Sequence, residues 1–236
     1  MKNSLLKIFV GYDPREAVVF HTCVQSIIEN TEIPVSIIPL HLKMFDCYNE
    51  KHTDGSNAFI YSRFLVPYFS NYSGNSIFID GDMIVNSDFN KLIRLADKNF
   101  AVQVVKHDYK TKHPIKYLGN KNEDYPKKNW SSVILFNCDH KKNRILTPEF
   151  VERSSGSYLH RFSWLNDAEI GEIPEGWNHL VLEYDQKPKA DILHFTVGAP
   201  CFQEYSHGKE ADVWHKTYHR AISGFDNIKN YQKKKA

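Results

Sequence analysis

The sequence predicts an α/β protein, a mostly parallel central sheet flanked by helices, on three observations. A short apolar strand, an amphipathic helix and a second apolar strand open the chain, which reads as a right-handed crossover in a parallel sheet. A continuous apolar run, Ser76-Ile77-Phe78-Ile79, ends on Asp80-Gly81-Asp82 and resumes as Met83-Ile84-Val85. Such a run suits a strand buried on both faces. A late strand, Ala190 to Thr196, sets Ile192, His194 and Thr196 on one face.

Composition bounds the reading. The 236 residues suffice for one large α/β domain, and 42% hydrophobic with 25% charged residues is globular. A net charge of +2 does not by itself imply a nucleic-acid binder. Cys23, Cys47, Cys138 and Cys201 are scattered without a Cys-x-x-Cys pair, so neither zinc nor a disulfide framework is suggested. No apolar run reaches membrane-spanning length, and Met1-Lys2-Asn3-Ser4 leads straight into a strand. The expectation is a soluble, cytoplasmic protein.

The elements follow in order. Lys7 to Tyr12 is a first strand ending at glycine. Asp13-Pro14 starts a helix as N-cap and first helical residue, with Ala17, Phe20, His21, Val24, Ile27 and Ile28 as its apolar face. Val35 to Leu40 is the second strand. Ala58 to Phe69 reads as a helix with Tyr61, Phe64, Leu65 and Tyr68 along one face and Ser62 and Arg63 off it. Asp88 to Leu95 is a short helix, Ala101 to Val105 and Ser131 to Asn137 are strands, and Thr147-Pro148-Glu149 caps a further helix. Lys106 to Trp130 breaks the pattern with seven lysines among Tyr109, Tyr117, Tyr125 and Trp130. A polar segment of that length inside a compact domain suits a substrate-covering loop; a solvated loop balanced by Asp108, Glu123 and Asp124 is the plainer reading. From Glu210 the tail is amphipathic, with Trp214, Tyr218 and Ile222 in register and Lys233-Lys234-Lys235 at its end. It reads as a docked helix, or as a peripheral contact with an anionic membrane.

The chemistry centres on Asp80 and Asp82. In extended backbone, side chains two apart point the same way, and ligands of α/β sheets bind beyond the carboxyl ends of strands. Two carboxylates that close resist burial unless a cation joins them. Magnesium or manganese suits such oxygen ligands and keeps positions open for phosphate. Asp-Gly-Asp is also ordinary turn chemistry, but a solvent turn does not need so buried a strand in front of it.

With these pieces in order, the chain resembles retaining glycosyltransferases of the glycogenin-like, lipopolysaccharide galactosyltransferase-like family, whose fold is called GT-A. Ile8-Phe9-Val10-Gly11-Tyr12-Asp13 resembles its nucleoside-holding first strand. Tyr61-Ser62-Arg63 resembles its Tyr-x-Arg helix, and Phe78-Ile79-Asp80-Gly81-Asp82 its metal-binding Asp-x-Asp strand. Leu193-His194-Phe195-Thr196-Val197-Gly198 resembles its late His-aromatic-x-x-Gly segment. Three segments depart from the family pattern: Asn129-Trp130-Ser131-Ser132, Asn166-Asp167, and Ala199-Pro200-Cys201.

Without an internal repeat, linker or low-complexity segment, the chain reads as a single domain over 1–236, with a nucleotide and metal half (1–105), a sugar and acceptor half (106–209) and a C-terminal helix and basic tail (210–236). The resemblance assigns the residues. It implies Asp80, Asp82 and His194 as ligands of Mn2+, which imidazole favours over Mg2+. Val10, Gly11, Tyr12, Asp13, Arg63 and Gly81 would bind the nucleotide. Asn166, Lys106, Trp130, Ser131 and Gly198 would lie toward sugar and acceptor. Arg63 would also serve catalysis, and Asp167 is the candidate carboxylate beside an oxocarbenium-like sugar. The expected reaction is transfer from a nucleotide-diphosphate sugar, UDP above others, to an acceptor hydroxyl with retention. The acceptor, whether glycan, lipid-linked glycan or modified nucleic acid, stays open. A nucleotidyltransferase using the same aspartates and a nucleic-acid-binding protein using the Lys106–Lys128 loop are the rival readings.

Overall fold

The computed structural model describes residues 5–53, 55, 57–184 and 190–223. Strand β1 (Leu6–Gly11) runs into Asp13, whose carboxylate accepts from the Arg15 N–H and caps a short 3-10 turn, Pro14–Glu16. Helix α1 (Ala17–Asn30) follows and buries Val19, Phe20, Cys23 and Ile27. Strand β2 (Val35–Leu40) pairs parallel to β1, completing the expected crossover.

The central sheet has six strands in the order β2-β1-β3-β6-β5-β7, where β3 is Asn75–Ile79, β5 Val102–Val104, β6 Val133–Asn137 and β7 Ile170–Glu172. Strands β1, β2, β3, β5 and β7 run one way, and β6 runs against both neighbours. The sheet is therefore mixed. Aromatic side chains pack one face, with Phe9, Phe64, Phe78, Phe136 and Phe162 fully buried. Aliphatic residues and α1 cover the other face.

A second sheet positions the late histidine. It has the order β4-β9-β8, with β4 Met83–Val85, β8 His179–Leu180 and β9 Ile192–His194. Met83 pairs with His194, and the Phe195 N–H donates to the Asp82 carbonyl at 3.0 Å. Antiparallel register thus delivers His194 beside Asp82 from more than a hundred residues away.

Two helical expectations change. Ala58–Phe69 is not one helix: Ser62–Leu65 forms a 3-10 turn, and α2 is only Val66–Phe69. Pro67 brings no N–H to a longer helix. Ser62 and Arg63 are as buried as the apolar residues around them, so the segment has no solvent face. At the far end, the last described helix, Ala211–Ile222, packs Trp214 into a cluster with Val19 and Leu193. Arg220 of that helix bonds Glu29 of α1 through two nitrogens, at 2.7 and 2.8 Å. Trp214 and Tyr218 of its apolar face pack on protein while Ile222 is exposed, and Lys233–Lys235 lie outside the described residues. Among the described residues no helix is long and apolar enough to cross a membrane.

Candidate active site

Asp80 leaves the end of β3 with its N–H donating to the Ser132 carbonyl at 3.0 Å, and Gly81 turns the chain toward β4. A Cβ on Gly81 would run into the Gly11 carbonyl, and one on Gly11 into the Phe59 ring. Both glycines are therefore required for close approach of backbone, ring and strand end.

The Asp80, Asp82 and His194 ligand atoms lie within 4.8 Å of one another. His194 Nε2 is 3.3 Å from Asp82 Oδ1 and 3.8 Å from Asp80 Oδ2. Its Nδ1 lies 2.8 Å from Asn178 Oδ1, while the Asn178 amide donates to the Asn129 carbonyl. That chain orients the amide oxygen toward the ring, puts the ring proton on Nδ1, and leaves the Nε2 lone pair facing the carboxylates. Asp82 Oδ1 is buried without a hydrogen bond, and Asp80 Oδ1 faces the Arg63 guanidinium at 2.9 Å without a well-directed one. Buried acceptors lacking donors are costly, and a divalent cation would satisfy both.

Electrostatics agree. Burial raises the Asp80 carboxyl above its ordinary value, outweighing the Arg63 charge that lowers it. Burial also works against Asp82, but His194 and then Lys116 outweigh it and hold that carboxyl low. Like-charged neighbours separate in this way when no ion is shared.

Arg63 is anchored by more than its charge. Its Nη1 sits 2.9 Å from Asp80 Oδ1 and donates to the Ser131 carbonyl at 2.8 Å, while Nε donates to the Ile60 carbonyl. The guanidinium lies 4.8 Å from the Phe78 ring centroid.

These groups floor a cleft of about 540 Å³. One wall is the Lys106–Trp130 segment, which is ordered through its own polar network. Lys128 donates to Thr111, Asn122 Oδ1 and the Glu123 carbonyl, and Asn122 bonds Glu183. Lys116 turns inward to Thr196 Oγ1 at 3.1 Å. Another wall is the short helix α3 (Gly156–His160), where His160 Nδ1 meets Ser131 Oγ at 2.7 Å. Burial and then Arg63 depress the His160 imidazole to about 3, so it stays neutral.

Lys128 gives a pH prediction. Burial, then neighbouring Lys116, lower its ammonium from 10.5 to about 8. Between those values the unfolded chain holds a proton that the folded chain has released, so stability rises with pH there. Denaturant titrations from pH 7.5 to 10.5 should show that rise in wild type relative to Lys128→Met; identical slopes would contradict it.

Several anticipated residues are placed elsewhere. Asp13 is buried, but its carboxylate is taken up by the Arg15 guanidinium and by the N–H groups of Arg15 and Ala58. It clamps the loop before residue 58 and has no oxygen left for a nucleotide. Gly11, Asp13, Gly81 and Asp82 line a small pocket of about 20 Å³. Val10 is core, and Tyr12 packs edge-on against Phe20 and His41. Trp130 lies under the Lys106 and Lys127 ammoniums and donates to the His107 carbonyl. The Tyr205 ring covers Gly198.

Asp167 does not reach the cleft. A reciprocal backbone and side-chain cap between Asn166 and Glu169 sets the turn there. Its carboxylate points outward, 90% exposed, on the Lys127 ammonium at 2.8 Å. Lys116, Asn178 and His160 join the site without a signal in the sequence: Asn178 ends the short turn Glu175–Asn178, and nothing in composition separates Lys116 from its neighbouring lysines.

A profile of glycosyl transferase family 8 matches residues 18–197, which include Arg63, both aspartates and His194. The chain belongs to that family. It is 41% identical over 217 residues to Protein CDI of Arabidopsis thaliana, an alignment spanning 88% of this chain and 84% of that one. Solved structures share the fold at low identity. The galactosyltransferase LgtC, in complex with donor and acceptor sugar analogs, aligns at a TM-score of 0.59 and 12% identity over 91% of this chain and 96% of its own. The bifunctional glycosyltransferase WbbM aligns at 0.64 and 14% identity over 96% of this chain, which spans 51% of the WbbM chain. The family 8 chain is thus a glycosyltransferase built on a six-stranded α/β sheet.

Proposed function

We propose that the chain transfers a sugar from a nucleotide-diphosphate sugar to an acceptor hydroxyl, using a divalent metal. The Asp80–Asp82–His194 cluster carries this reading, because it gathers an unsatisfied Asp82 oxygen, the buried Asp80 carboxylate and an imidazole nitrogen at the floor of a cationic cleft. Those three side chains would hold the ion, and a divalent cation there supplies Lewis-acid neutralisation of the departing diphosphate. Manganese suits the mixed carboxylate and imidazole set.

The chain's own residues do the rest. Lys116, an ammonium turned into the cleft on a single hydroxyl acceptor, adds positive charge where the diphosphate leaves. Arg63 fixes Asp80 and the Ser131 carbonyl in one arrangement. Asn178 holds His194 in the tautomer a metal requires. Asp167 is turned outward on Lys127, away from the cleft. The family resemblance supports retention, and uridine as the base.

The test is nucleotide release from a panel of uridine, guanosine and thymidine diphosphate sugars, with and without Mn2+. One donor should be consumed, and only with metal. Pyrophosphate release from a nucleoside triphosphate, with no sugar nucleotide consumed, would establish nucleotidyl transfer instead.

A further inference from the structure

The charges of the cleft exceed what a donor needs. Arg63, Lys116, Lys121, Lys128 and Arg161 line it against three carboxylates, Asp80, Asp82 and Glu123. A divalent ion and a diphosphate diester cancel each other, so a surplus of cations remains after both are in place. Three of the five have internal work: Arg63 on Asp80, Lys116 on Thr196, and Lys128 on its three acceptors.

Lys121 and Arg161 differ. Both are exposed at the mouth, and among the described residues neither side chain has a hydrogen-bond or ion-pair partner. They come from separate segments: Lys121 from the turn where it bridges Ile115, Arg161 from the end of α3. Both line the same cationic cleft, so an anion entering it is attracted by a cation from each segment. Arginine and lysine together suit a carboxylate or a phosphate.

We propose that the acceptor is an acidic saccharide whose carboxylate or phosphate is received by Lys121 and Arg161. This rests on the glycosyltransferase reading above. A polynucleotide is the less favoured anion, because the chain belongs to a glycosyltransferase family and its net charge of +2 does not by itself imply a nucleic-acid binder.

The test compares one sugar as its neutral methyl glycoside, its uronic acid glycoside and its 6-phosphate, in wild type and in Lys121→Ala/Arg161→Ala. Donor hydrolysis without acceptor and thermal denaturation are followed in parallel. Wild type should prefer an acidic acceptor by about tenfold or more in kcat/KM, the worth of one charge-assisted hydrogen bond. The double variant should lose that preference while hydrolysis and melting stay unchanged. Whichever acid is preferred identifies the anion. A neutral acceptor used equally well, a preference that survives in the double variant, or an oligonucleotide that outcompetes both acids would overturn the proposal. Neither hydrolysis nor transfer in wild type would sink the underlying reading instead.

Discussion

Asp82→Asn should lower metal-dependent turnover by about a hundredfold or more while the fold stays intact. The amide keeps the size of the carboxylate but lacks its charge, and removing one electrostatic stabiliser of a developing anion costs on this scale. Stability should change little, because the relieved repulsion between Asp80 and Asp82 is offset by the lost attraction of His194 and Lys116. Nucleotide release and thermal denaturation in chelator separate the two effects. Unfolding of the variant would make the pair a structural device, and full turnover would remove Asp82 from the site.

Arg63→Ala should have the largest effect on stability. The substitution leaves Asp80 buried without its cation and frees the Ile60 and Ser131 carbonyls. Removing one partner of a buried pair costs about 3–5 kcal/mol, or on the order of 10 °C in melting temperature for a chain this long. Arg63→Lys should recover only part of this, because an ammonium cannot span Asp80 and two carbonyls or lie flat on Phe78. A melting temperature within a degree of wild type for the alanine variant would mean the guanidinium is not the anchor its contacts indicate.

The parts of the fold that were legible in the sequence are those written in local pattern. Apolar runs marked β1, β2, β3, β6 and β9, and Asp13-Pro14 marked the start of the first helical segment. The Asp80 and Asp82 pairing was readable because a strand has a period of two. The direction of β6 was not readable: it is buried on both faces, and such a run looks the same parallel or antiparallel. The break between Ser62–Leu65 and α2 comes from packing on all sides, which leaves no amphipathic signal.

Side-chain direction set the limit at the site. Asp167 sits close in sequence to the sugar region, yet its turn presents it to solvent. Asp13 has the right chemistry for a ligand but uses all its oxygens on Arg15 and Ala58. Lys116 and Lys128 turn inward while Lys110 and Lys112 face solvent, a division made by Thr196, Thr111 and Asn122, not by composition. His194 reaches Asp82 only through the register of β4 with β9.

Calorimetric titration of uridine diphosphate into wild type and Asp82→Asn, each with Mn2+ and with chelator, tests the metal-coupled site most directly. The geometry of Asp80, Asp82 and His194 predicts strong heat in one combination alone, wild type with metal. Binding of equal affinity in chelator, or in the asparagine variant, would contradict the metal as the link between this chain and its nucleotide.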